Sequence, residues 1–266
     1  MFKINRVVGA ALLIASTTVG AGMIALPSVT GPAGFLPSVF SMLLCWAYMF
    51  LTGLFVAQAC LWLKKDSFHL ASMAYEYTGR SGRFICSLLF LFLYFMLLAS
   101  YFSGIVPYLS VFSISSDAVG LCLALVVAFL ICGGTKLVDW LNRLLTLLMV
   151  GAFGFLLWQG LKTLNLSYLV GGDTANSFKP LPILVGAFGY HNLIPSVVVY
   201  LKKDERGLFW ALFWGTVSPL LIYILWLAIT MGSIDPNQWL DHQSIKGIPV
   251  VHMAQQMKWG RPLLLA

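Results

Sequence analysis

Two stretches of the 266-residue chain set backbone-weakening and polar residues inside apolar runs: TTVGAGMIALP over 17–27 and VGAFGYHNLIP over 185–195. Glycine costs a helix about 1 kcal/mol relative to alanine. Proline removes a backbone donor and disfavours helix at the preceding residue. Gly20, Gly22 and Pro27 therefore favour a helix break in the first stretch, and Gly186, Gly189 and Pro195 favour one in the second. A break at bilayer depth frees N–H and C=O groups whose desolvation is costly, so it persists only where it faces protein, water or a ligand. Half-helix N-termini there attract a carboxylate, while freed carbonyls and half-helix C-termini accept from an ammonium or hold a cation. The chemistry is that of binding a small zwitterion such as an amino acid. Tight helix packing through small residues is the competing explanation for either stretch alone. Two matching stretches in the two halves of the chain are the pattern of a transporter binding site.

The side chains at these breaks extend the same chemistry. His191 is the one histidine at membrane depth, and its ordinary pKa near 6.5 suits it to proton coupling. The competing role is a neutral histidine that hydrogen-bonds substrate or a neighbouring helix. Asn192 can both donate and accept beside an unwound turn. Thr17 and Thr18 carry hydroxyls that either line the site or bond back to their own helix. Phe188 and Tyr190 flank the second break and are expected to contact substrate or gate it.

The elements that must carry these groups follow from hydropathy. Hydrophobic residues make up 60% of the chain and charged ones 9%, with a mean hydropathy of +0.90. A soluble domain carries about 25% charged residues, so the chain is expected to be an all-α, polytopic membrane protein. Spans are expected near 7–30, 35–62, 84–111, 118–134, 144–161, 181–201 and 207–232, with an eighth starting at Pro262. If the N-terminus is cytoplasmic, inside segments hold eleven basic residues, among them Lys3, Arg6, Lys64, Lys65, Lys202 and Lys203. Outside segments then hold five: Lys162, Lys179, Lys246, Lys258 and Arg261. That bias orients the chain with its N-terminus inside. Residues 67–83 read as a short interfacial helix. The loop near 233–260 is long enough for one or two short outer helices, and 134–143 and 202–206 read as solvated loops.

Other function classes lack support. The net charge of +7 sits in short loops, which fits topology rather than nucleic acid. Cys45, Cys60, Cys86, Cys122 and Cys132 form no CxxC pair, and His69, His191, His242 and His252 lack ligand spacing, so no metal site is expected. No His-Glu-x-x-His motif or paired aspartates lie at depth, so an enzyme is not expected. The first apolar run follows Lys3 and Arg6 but reads as a span, not a cleaved leader.

TTVGAGMIALP together with FGYHNLIPSVVVYL resembles the bacterial aromatic amino-acid permeases, hydroxy and aromatic amino-acid permeases of the amino-acid/polyamine/organocation superfamily. The resemblance covers the whole chain. It implies a LeuT-like inverted-repeat transporter with discontinuous helices 1 and 6, importing tyrosine or a related aromatic amino acid by proton symport. It places the family's first glycine break on Gly20, Ala21 and Gly22, and its FG-aromatic-His segment on Phe188, Gly189, Tyr190 and His191. The family's Pro-Ser falls on Pro195 and Ser196, and Asn192 stands where relatives often carry a small residue.

The resulting expectation is one membrane domain over 1–266, with a first repeat over 1–161 and the start of a second over 181–266, C-terminally truncated and so incomplete. It has no cofactor; the coupling ion is H⁺, or alternatively Na⁺ held by carbonyls and threonine hydroxyls. A truncated, non-transporting remnant is the other alternative. The location implied is the bacterial inner membrane, with substrate and lipid as partners, no nucleic acid and no obligate protein partner.

Overall fold

The computed structural model describes residues 2–20, 22–63, 69–109, 116–170 and 176–235. Their regular elements are all helical, as the long apolar runs require in lipid, where each backbone group must be satisfied within its own segment. The α-helices are α1 (Phe2–Thr18), α2 (Gly22–Thr30), α3 (Phe35–Trp62), α4 (Leu70–Leu109), α5 (Ser116–Cys132), α6 (Thr135–Thr163), α7 (Leu181–Ala187), α8 (Ile194–Tyr200) and α9 (Glu205–Gly232). Phe35–Trp62, Leu70–Ala99, Leu181–Tyr200 and Glu205–Gly232 are each long and apolar enough to cross a membrane. Shorter apolar helices cover Arg6–Thr18, Asp117–Leu130 and Leu147–Thr163. The chain is a polytopic helical membrane protein. The proposed outer-loop helices near 233–260 fall almost wholly outside the described residues, and the eighth span from Pro262 and Ala21 fall outside them entirely.

The described chain divides into two compact units, one formed by residues up to Cys86 and from Gly160 onward, the other by Ser87–Gln159. The first holds the two candidate stretches. In it α9 packs along α1 and α3, α8 packs on α3 and α1, and α7 packs on α2 and α3. Its core joins Ala10 and Ile14 of α1, Ala57 and Cys60 of α3, Val197 and Val198 of α8, and Leu208, Ala211 and Leu212 of α9. Gly215 of α9 allows close approach to α1: a Cβ there would sit 2.8 Å from Ile14 Cβ and 3.0 Å from the Ala11 carbonyl oxygen.

Polar groups close the ends of this unit. Ser41 of α3 donates to the Ser177 carbonyl (2.7 Å), fixing the segment that leads into α7. The α8–α9 turn is tight, with Lys202 and Lys203 in left-handed backbone (φ 54° and 60°). Lys203 Nζ then donates to the Leu63 carbonyl at the end of α3 (2.7 Å), and Asp204 caps α9 by accepting from Gly207 N. The region read as an interfacial helix is the start of α4. It docks on α3 through Met73 against Cys60 and Tyr77 Oη on the Ala59 carbonyl (2.8 Å). Gly79 (φ 74°, ψ −160°) breaks the helical path between this segment and the third span.

In the second unit the 134–143 loop reading is corrected. Those residues form the first turns of α6, and the connection from α5 needs only Gly133 and Gly134, the latter at φ 87°. Leu137, Leu141 and Leu144 recur at helical spacing through the charged stretch, so the segment has an apolar stripe to support a helix. In the third span Phe92, Tyr94, Phe95 and Tyr101 are exposed, as lipid-facing aromatics would be.

Candidate functional site

Both stretches interrupt their spans. α1 ends at Thr18, with Val19 N still reaching the Ala15 carbonyl (2.9 Å), and α2 begins at Gly22 with Met23 N turned back to Gly20 O (3.0 Å). α7 ends at Ala187. Gly189 N then bonds Gly186 O (3.1 Å), a single tight turn runs over His191–Leu193, and α8 starts at Ile194 with Pro195 in its first turn. Pro at that position loses nothing, because its missing N–H is one a helix start leaves unbonded anyway. Since α2 lies on α7 and α1 lies on α8, the two interrupted spans run antiparallel.

Pro27 does not sit at a break. It lies inside α2, five residues after its start. Its missing N–H leaves the Met23 carbonyl without its helical partner, and Trp226 Nε1 of α9 donates to that oxygen at 2.7 Å. The helix continues through the proline because another helix supplies the donor.

The same helix serves both breaks. Tyr223 Oη donates to the Thr18 carbonyl (2.6 Å) and lies 3.3 Å from the Ala187 carbonyl. These are the last residues of α1 and α7. The Tyr223 ring is fully buried and stacks edge-on against Phe188 (centroids 5.5 Å apart, planes at 73°). The two C-terminal ends, each carrying the negative end of a helix dipole, thus meet at one phenol.

α3 holds the residues after the second break. Tyr190 is fully buried and donates to the Met49 carbonyl (3.1 Å). Gly53 makes room for it, since a Cβ there would overlap the Tyr190 hydroxyl. His191 Nε2 lies 2.9 Å from Thr52 Oγ1, which is also placed to donate to the Tyr48 (2.9 Å) or Met49 (3.1 Å) carbonyl. Where Thr52 donates to a carbonyl, it accepts from an Nε2–H; where it donates to His191, Nε2 is the acceptor. The imidazole lies against the Tyr190 ring, centroids 4.9 Å apart and planes tilted by 33°.

The residues expected to line a site divide accordingly. Gly20 and Gly186 face open space, with nothing within 4 Å of a built Cβ. Gly189 and Asn192 are exposed, His191 is half-buried, and Gly22 opens α2. Thr17 and Thr18 hydroxyls bond back to the Leu13 (2.8 Å) and Ile14 (2.9 Å) carbonyls, so Thr18 contributes its main-chain oxygen to the break. Phe188 and Tyr190 are fully buried, Phe188 against Tyr223 and Tyr190 against α3. Sequence reasoning missed Thr52, Gly53, Tyr223 and Trp226. Each is an ordinary residue in a regular apolar helix, and only the partner helix gives it a role.

The family model described as the tryptophan/tyrosine permease family matches residues 3–256. The chain is 29% identical over 242 residues to tyrosine-specific transport system 1 of Haemophilus influenzae, covering 89% of this chain and 60% of that protein. It is 31% identical over 245 residues to the tryptophan-specific transport protein of Pseudomonas aeruginosa, covering 87% of this chain and 58% of that one. It is 29% identical over 254 residues to glutamine transporter 2 of Aliivibrio fischeri, covering 91% of this chain and 65% of the relative. The chain therefore spans about three-fifths of the length of such curated relatives. No solved structure matches it.

Proposed function

From the premise that the chain belongs to the tryptophan/tyrosine permease family, we propose that it acts in secondary active import of an aromatic amino acid, tyrosine foremost, by proton symport with alternating access. The observation that carries this reading is the pair of antiparallel interrupted spans whose C-terminal carbonyls, Thr18 O and Ala187 O, meet at one point. A zwitterion needs an acceptor cluster for its ammonium and N–H groups for its carboxylate. The two breaks hold both kinds of group, and Gly20 and Gly186 leave open space beside them. The roles of Gly20, Ala21, Gly22, Gly189, His191 and Asn192 in contacting substrate belong to this reading.

A LeuT-like inverted-repeat architecture belongs to it too, supported by the antiparallel crossing of the broken spans. So does alternating access by movement of spans one, two, six and seven against the rest, since those four spans fall in one compact unit and Ser87–Gln159 in the other. His191 is the proposed proton-coupling group. The location proposed is the bacterial inner membrane, with the N-terminus cytoplasmic on the basic-residue bias.

The test is uptake of labelled tyrosine, and separately of labelled tryptophan, phenylalanine and glutamine, into proteoliposomes under an imposed inward proton gradient. Accumulation that follows the gradient and survives replacement of sodium by choline supports the proposal. Dependence on sodium with indifference to pH transfers the coupling to Na⁺. No accumulation of any of the four amino acids overturns the transport reading.

A further inference from the structure

α9 runs as one helix through Gly215 and Pro219, and none of its residues is among those expected to bind substrate. Yet its Tyr223 hydroxyl is within hydrogen-bond distance of the last carbonyls of both α1 and α7. A phenol has one hydrogen to give. The short 2.6 Å contact to Thr18 O takes it, and the Ala187 oxygen at 3.3 Å lies in the same field. Two carbonyls at the negative ends of two half-helices thus converge on one phenol hydroxyl.

We propose that Tyr223 is a positioning residue. Its hydroxyl ties the end of α1 to the end of α7 and so fixes the register in which the two breaks present their freed backbone groups. Tyr223 sets substrate affinity without touching substrate. This rests on the transport reading only for its functional consequence; the tie itself does not.

The geometry supports that division of labour. The ring is fully buried and braced by Phe188, so the hydroxyl is delivered by a fixed lever. Trp226, three residues further along α9, donates to Met23 O in α2, the segment after the first break. One face of α9 therefore grips the first broken span on both sides of its break and the second span at the end of α7.

Tyr223→Phe removes one oxygen and keeps the ring, its volume and its contact with Phe188. Thr216→Val is the control, because Thr216 is also buried on α9 but bonds Trp46 of α3 at 3.2 Å, away from the breaks. Spin labels at Ser16→Cys and Val185→Cys, both exposed and near the ends of α1 and α7, report the separation of those ends. The background carries serine at Cys86, Cys122 and Cys132. The unaltered Tyr223 protein should give one narrow distance, and Tyr223→Phe a broadened or displaced one. Thr216→Val should leave it narrow. In proteoliposomes, Tyr223→Phe should raise the KM for tyrosine about tenfold, the factor that corresponds to one buried hydrogen bond of ordinary strength. Vmax should change less than twofold, and Thr216→Val should move neither. An unchanged distance distribution in Tyr223→Phe overturns the tie, whatever the transport result. A broadened distribution with unchanged KM overturns its role in affinity. Absence of uptake by the unmutated protein overturns the transport reading instead, while the distance measurement still judges the tie.

Discussion

The hydroxyl of Tyr190 occupies the space that a side chain on Gly53 would fill: a Cβ at Gly53 would overlap it and come within 2.8 Å of Tyr190 Cζ. The second break is thereby seated on α3 through an absent side chain. Gly53→Ala should cost roughly 1–3 kcal/mol, as overpacking of a filled core does. The measurement is a thermal or denaturant midpoint in detergent. Tyr190→Phe, which removes the clashing oxygen, should recover part of the loss in the double variant. Strict additivity of the two changes would show that they do not meet.

Trp226 and Pro27 form a similar pair. Trp226→Phe leaves the Met23 carbonyl buried with its helical donor already missing, a loss of about 1–3 kcal/mol. Pro27→Ala restores an N–H four residues after Met23 and should offset part of that loss. A double-mutant cycle reads the coupling. Pro27→Ala failing to help in the Trp226→Phe background would show that the proline is not what exposes Met23 O.

Gly20→Ala and Gly186→Ala separate folding from function. Neither glycine has a positive φ, and neither Cβ meets an atom within 4 Å. Gly20→Ala should shift stability by no more than about 0.5 kcal/mol, and Gly186→Ala, inside α7, should if anything stabilise by up to about 1 kcal/mol. If the open space holds substrate, each should still raise the KM for tyrosine severalfold. Full uptake in both variants would place the substrate elsewhere.

His191 and Thr52 should be linked in their effect on coupling. His191→Gln can still hydrogen-bond Thr52 but cannot carry a proton, so uptake should no longer accelerate under an inward proton gradient while equilibrium binding persists. Thr52→Val removes the hydroxyl 2.9 Å from Nε2 and should shift the pH dependence of uptake, with Thr52→Ser retaining it. Unaltered gradient dependence in His191→Gln would remove the histidine from the coupling step.

Most of the helical layout was legible in composition and spacing. The span limits at 35–62 and 207–232 nearly coincide with α3 and α9, because an apolar run bounded by charges or turn residues has few alternative ways to satisfy its backbone in lipid. The two glycine-rich interruptions were legible for the same local reason. The segment at 134–143 was misread because its charges suggested a loop, whereas its leucine periodicity sustains a helix.

The sequence by itself determined that this chain crosses the membrane repeatedly and where two of its crossings lose regular bonding, since glycine content and hydropathy act within a few residues of themselves. Only the tertiary structure decided what those interruptions face. Tyr223, Trp226, Gly53 and Thr52 took their roles from residues on other helices, up to 205 positions away in the chain. A freed carbonyl specifies that some donor must reach it, but not which helix brings the donor; that choice is made by packing.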